Sequence, residues 1–348
     1  MPLLAGGFAT LEVFHVLPIT HWALQLLAGA VLVSAVFAAV HHAEVIAVRV
    51  GEPFGSMVLA IAVTIIEVSL IITIMLAAPD GGSHVARDTV FAALMIVLTG
   101  IVGACLLAGG IRHHEQGFQV QGATGALSVL GTLATLALVL PNYTVAVAGP
   151  VYSKEQLIAV GVMSLALYLL FLFVQSVRHR DYFAEGADHQ GPRHKPTLSA
   201  FLVSVFLLVV ALASVVLIAE SLSVPVEILV TDVGLPQSFV GVVIASIILL
   251  PEALAAFGAA RRNRLQRSLN LALGSALASI GLTIPTVAVT SLIIGAPLTL
   301  GLEEEHIVLL VLALFTSTLT LATGRTTVLQ GGVHLVIFAA FIIIAAVP

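Results

Sequence analysis

Two glutamates, Glu67 and Glu252, are the residues of this chain best suited to chemistry. Each is the only ionisable residue in an apolar stretch long enough to cross a bilayer. The first is GSMVLAIAVTIIEVSLIITIM, Gly55 to Met75, and the second FVGVVIASIILLPEALAAFGAA, Phe239 to Ala260. A carboxylate near the centre of a membrane helix costs about 3 kcal/mol on insertion scales, so it is rarely idle. For each glutamate a structural hydrogen bond between helices is the bland alternative, and the lesser reading. As a pair they suggest more. Two carboxylates in one low-dielectric site cannot both stay ionised without a cation. Such a site has two comfortable states, protonated or deprotonated around a metal ion. Competition of H⁺ with a hard cation for the same oxygens is the least apparatus that cation/proton exchange needs. Oxygen ligands suit Ca²⁺ or Na⁺, and the lone Cys105 leaves no thiolates for a softer metal.

Neighbouring residues offer a supporting shell. Pro251 cannot donate a backbone hydrogen bond, so it frees the carbonyl of Ile247 one turn earlier as a ligand, with a simple kink as the bland alternative. Thr64 lies three residues before Glu67, on the same helical face. Asn270, Gly274, Ser275 and Ser279 form a small, polar stripe at roughly helical spacing. Thr99 with Gly100 and Gly103 is the counterpart in an earlier stretch; close helix packing explains such small residues as readily as ion contact does. Glu44 and Glu220 close two other apolar stretches and are candidate gates. Glu303 to Glu305 can concentrate cations, although a solvated loop is the simpler reading. Asp181, Glu185 and Asp188, beside His179 and His189, carry a weaker suggestion of cation sensing. His41, His42, His113 and His114 read as interfacial by default, with pH sensing as the lesser reading.

These side chains need a frame to hold them, and composition supplies it. Of 348 residues, 59% are hydrophobic and 9% charged, against roughly 25% charged in a soluble domain. The chain is therefore expected to be an all-α integral membrane protein, because its apolar runs are long and not the ten-residue alternating strands of a barrel. Nothing near the N-terminus has the form of a cleavable signal. Ten spans are expected, near 22–48, 55–78, 86–110, 120–141, 154–177, 197–220, 238–260, 268–296, 305–323 and 328–347. Residues 1–20 are apolar but short and interrupted by Glu12, His15 and Pro18. They read as an interfacial or partial helix, with an eleventh span as the lesser reading.

The Lys/Arg distribution tests this count. If the spans alternate, eleven of the thirteen basic residues fall on one side, and only Arg87 and Lys154 on the other. By the positive-inside rule the rich side is cytoplasmic, which places the linker 178–196 (RHRDYFAEGADHQGPRHKP) inside the cell. The linker divides the spans five and five, into repeats at 21–177 and 197–348. Span 2 then runs from inside to outside and span 7 from outside to inside. Gly51-Glu-Pro53 precedes the first glutamate helix and Gly234-Leu-Pro236 the second. Two similar halves of opposite orientation form the inverted repeat of secondary transporters, whose site lies between the halves near the midplane.

At these residues the sequence resembles a known family. His42-Ala-Glu44, GEPFGSMVLAIAVTIIEVSLI, LLPEALAAF, RSLNLALGSALASIGLTIP and TGRTTVLQGGVHLVIFAAF are similar to the calcium/proton antiporters of ChaA type, in the cation/proton exchanger branch of the calcium/cation antiporter superfamily. The resemblance covers residues 40–348. It implies a five-plus-five inverted-repeat fold, alternating access, and cation binding by Glu67 and Glu252. It associates the chain with exchange of Ca²⁺, Na⁺ or K⁺ for H⁺. The expected partners are the lipid bilayer, inorganic cations and protons. Nucleic acid is not expected, no cofactor is called for, and a homo-oligomer stays open. The expected location is the inner membrane of a bacterium. An intramembrane enzyme is disfavoured, because the five Asp residues form no DxxxD-like pair and no His stands beside a buried Ser or Cys. A passive channel differs by lacking proton counterflow.

Overall fold

A computed structural model describes residues 1–13, 22–51, 54–77, 84–183, 195–295 and 297–347. The architecture is helical throughout. Helix α1 spans Pro2–Val13, α2 Trp22–Val50, α3 Phe54–Ala77, α4 Val85–His113, α5 Val120–Tyr143 and α6 Lys154–Arg178. After the linker come α7 Leu198–Asp232, α8 Phe239–Arg261, α9 Leu265–Ile294, α10 Glu304–Leu321 and α11 Val328–Ala346. Among the described residues, nine of these helices are long and apolar enough to cross a membrane. The remaining long helix, α3, contributes the apolar segment Ile61–Thr73.

Helix α4 is the hub. Its residues are apolar on nearly every side (Val90, Leu94, Val97, Leu98 and Val102 are all buried) because other helices surround it. The peripheral helices bury one stripe only. On α6, Ile158, Val162, Leu165, Leu169 and Phe173 are exposed at intervals of three and four residues, while Tyr168 and Phe171 turn inward. An exposed apolar stripe of this kind faces lipid.

Alternation of the spans is legible in how their ends meet. The connections expected on the linker's side touch one another: Gln116–Gly117 pairs antiparallel with Arg325–Thr326, His113 Nε2 donates to Arg261 O at 3.0 Å, and an Arg49 guanidinium N–H donates to Pro196 O. The connections expected on the opposite side also meet. Val151 bridges Thr299, Asn142 Nδ2 donates to Leu302 O at 2.7 Å, and Arg87 Nη1 donates to Gly301 O at 3.2 Å. The helix pairs are matched across the halves as well, with α2 on α7, α3 on α9 and α4 on α8.

Three features depart from the expected outline. Helix α7 does not stop near residue 220 but continues through Pro225 to Asp232, so Glu220 lies well inside a helix and not at its end. Helices α4 and α5 each contain a π-helical segment, Ile96–Ile101 and Thr135–Val139, of the kind that re-aims side chains without ending a helix. The N-terminal segment forms a helix of 12 residues, about 18 Å long and too short to cross about 30 Å of hydrocarbon. It packs on α7 through buried Ala5 and Ala9, and a Cβ added at Gly6 would stand 3.2 Å from Val210 Cγ1. Residues 184–194, most of the linker, lie outside the described residues, and with them Glu185, Asp188 and His189.

Candidate functional site

Helical periodicity sets both glutamates on inward faces. On α3, Val63, Thr64, Ile66, Glu67, Leu70 and Ile71 are buried while Ile61 and Ile65 are exposed, so Glu67 occupies the middle of the packed stripe. On α8, Ala245, Ile248, Leu249, Glu252, Ala256 and Ala259 are buried, with Leu250 and Leu254 exposed. The two stripes converge. Glu67 and Glu252, from opposite halves of the chain, line one cavity of about 100 Å³. They are 4% and 7% exposed, so neither charge is offset by bulk water.

Helix α9 forms the adjoining wall. Gly274, Ser275, Ala278 and Ser279 all line the cavity, and a Cβ added at Gly274 would meet only open space. Ser279 Oγ donates to Glu67 Oε1 at 2.5 Å, a bond that joins α9 to α3. Thr283, one turn further along α9, is buried, and its hydroxyl has no hydrogen-bond partner among the described residues. Glu252 has no such support. Its Oε2 is buried and finds no hydrogen-bond partner among the described residues. A buried carboxylate oxygen left in this way is costly unless a proton or a cation completes it.

The other expected residues divide. Thr64 lines the cavity with Glu67, and Ser275 and Ser279 line it from α9. Asn270 also reaches it, but its amide is already occupied: Nδ2 donates to Phe183 O at 2.6 Å, and Oδ1 accepts from Gln266 Nε2 at 2.9 Å. Thr99 is not among the cavity residues. Its hydroxyl turns back to Met95 O at 2.5 Å within the π-helical segment. Gly100 and Gly103 serve packing, since added Cβ atoms would lie 3.1 Å from Phe338 and 2.9 Å from His334. Pro251 is buried beside Glu252, and Ile247 packs into the apolar cluster between α2, α3 and α7. Glu44 and Glu220 are both exposed and outside the cavity.

Sequence reasoning missed the wall built by α6. Tyr168, Phe171, Leu172 and Gln175 all line the cavity, and Tyr168 packs so closely on α9 that an added Cβ at Gly281 would lie 2.8 Å from its ring. The aromatics gave no signal in an apolar span, whereas Gln175, a polar residue inside a hydrophobic run, did. His334 was also missed. It is fully buried, with Nδ1 donating to Leu98 O at 2.8 Å and Nε2 accepting from Thr320 Oγ1 at 3.2 Å.

A buried pair of carboxylates from matched halves thus lines one cavity, with hydroxyls on one side. Comparison with known proteins places the chain in a class. The sodium/calcium exchanger protein family matches residues 20–177 and 203–347. A Sinorhizobium fredii protein named for ionic transport, y4hA, is 51% identical over all of this chain and 95% of its own. The sodium-potassium/proton antiporter ChaA of Escherichia coli is 36% identical, covering 92% of this chain and 88% of its own. The solved H⁺/Ca²⁺ exchanger CAX shares the fold, with a TM-score of 0.76 at 15% identity over 98% of this chain and 87% of that one. The protein is a secondary cation/proton antiporter and not an enzyme. It belongs to the sodium/calcium exchanger family.

Proposed function

We propose that this antiporter exports Ca²⁺ in exchange for H⁺, and that Glu67 and Glu252 bind the two competitively. The observation that carries the reading is the convergence of both carboxylates on one cavity, with Glu252 Oε2 lacking a partner among the described residues. Two ionised carboxylates balance one dication, and two protons restore neutrality when the ion leaves. Thr64, Ser275 and Ser279 complete the shell as neutral oxygens, which suits a hard cation that takes six to eight such ligands with help from water. Ser279 holds Glu67 Oε1 in place, so the carboxylate's orientation survives between turnovers. Alternating access then swings one five-helix half against the other around this site, with 21–177 and 197–348 as the moving units. Glu44, exposed on α2, serves as a gate on the path by which ions reach the cavity. The protein works in the inner membrane of a bacterium, with the linker in the cytoplasm, and needs no cofactor.

A second reading, Na⁺ or K⁺ exchanged for H⁺, is favoured by the 36% identity with an antiporter named for sodium and potassium. Everted vesicles separate the two. With a pH gradient established, Ca²⁺, Na⁺ and K⁺ are added one at a time and the collapse of the gradient is followed by dye fluorescence. The first reading requires collapse with Ca²⁺ at the lowest concentration. Collapse with Na⁺ or K⁺ alone establishes the second.

A further inference from the structure

Away from the central cavity, at the end of the bundle opposite the linker, a second group of ligands gathers at the start of α10. Among the described residues it is the one place where three metal-binding side chains converge: ligand atoms of Glu303, Glu305 and His306 all lie within 4.8 Å of one another. Acidic residues in the first turn of a helix have an ordinary explanation in the helix dipole. Two observations go beyond it. His306 is buried, with a side chain only 8% exposed, yet its Nδ1 has no hydrogen-bond partner among the described residues. That nitrogen points at Glu303 Oε2, 3.8 Å away, beyond hydrogen-bonding distance. Glu303 occupies the N-cap position of α10, but its side chain caps nothing. It is divided instead between two neighbours. Oε1 faces Arg87 Nη2 at 3.5 Å and Oε2 faces the imidazole.

We infer that Glu303, Glu305 and His306 form a binding site for a divalent transition-metal ion of the Zn²⁺ class, separate from the transport site. One neutral imidazole with two carboxylates is a donor set for Zn²⁺ and its first-row neighbours, whereas Ca²⁺ and Mg²⁺ take oxygen alone. Zn²⁺ bonds of about 2.0–2.2 Å require ligand atoms about 3.4 Å apart, which rotation of the exposed Glu303 and Glu305 side chains supplies. The imidazole is already oriented by the Phe91 ring, 4.7 Å between centroids. Arg87 is the opposing charge in contact with the group among the described residues, and it is engaged by Asp88 at 2.7 Å as well as by Glu303. Two carboxylates, Asp88 and Glu303, face this guanidinium, and Glu305 adds a third negative charge to the group, so the cluster stays negative.

The test is calorimetric titration of ZnCl₂ into the detergent-purified full chain carrying Glu67→Gln and Glu252→Gln, which removes both carboxylates of the central cavity. One tight Zn²⁺ equivalent is expected, weakened at least tenfold by Glu305→Gln and by His306→Gln, and unchanged by Glu304→Gln. Glu305 is exposed and carries the test alone if the His306 variant does not fold. Zn²⁺ binding that persists undiminished in Glu305→Gln, or that is absent from the double variant, overturns the assignment.

Discussion

Ser279→Ala isolates one bond of the proposed site. Ser279 Oγ donates to Glu67 Oε1 at 2.5 Å inside a cavity wall that is itself buried. A hydrogen bond to a charged group is worth about 1.5–3 kcal/mol, and 1.36 kcal/mol is tenfold in an equilibrium. Removing the donor therefore shifts the balance between proton and cation at Glu67 by about 10- to 150-fold. The lost stabilisation belongs to the ionised carboxylate, so protons compete more effectively and the KM for the cation rises. The sign fixes the pH dependence. The rise is largest at acid pH, where protons compete, and shrinks as the pH is raised. Initial rates of ⁴⁵Ca²⁺ uptake into everted vesicles, measured against Ca²⁺ concentration at several pH values, read this directly. A KM equal to wild type at every pH refutes the reasoning, and so does one raised by the same factor throughout, which would show that the bond to Glu67 plays no part in the competition with protons.

Other expectations concern the frame. Glu252→Gln removes a buried oxygen that has no partner among the described residues, so its melting temperature in detergent should equal or exceed wild type while exchange is lost; a large fall in melting temperature contradicts that view of Oε2. Gly281→Ala should destabilise by about 1–3 kcal/mol, because its Cβ would sit 2.8 Å from Tyr168. Gly274→Ala, facing open cavity, should melt like wild type and transport more slowly; equal melting of the two variants would refute the packing argument. His334→Leu leaves Leu98 O and Thr320 Oγ1 without the bonds they now make, at about 1–3 kcal/mol for each unsatisfied group. An unchanged melting curve would show that the π-helical segment does not depend on that histidine.

The helical frame and its alternation were readable because membrane helices announce themselves by length and apolarity, and loop charges report their order. The ends of the spans agreed to within a few residues except at α7, where Pro225 sits inside a continuous helix; a proline in a long apolar helix need not end it when neighbours and water re-satisfy the freed backbone. The two glutamates stood out because ionisable residues are rare at that depth. Their surroundings were less legible. Thr99 has the right chemistry and the wrong direction, since its hydroxyl back-bonds to Met95 O one turn earlier, as Ser and Thr do in helices. Tyr168 and Phe171 reach the cavity from a helix that is apolar on both its inward and its lipid-facing sides, and only tertiary packing tells the inward stripe from the other. His306 gave no signal of its own, because burial and the loss of a partner are properties of the fold.

The most direct test of paired-carboxylate exchange uses purified protein in liposomes, with cation uptake and proton release recorded together. Wild type should move protons against the cation in a fixed ratio, and Glu67→Gln or Glu252→Gln should abolish both fluxes at once. Cation flux without proton counterflow, or coupled flux that survives either substitution, would contradict the account.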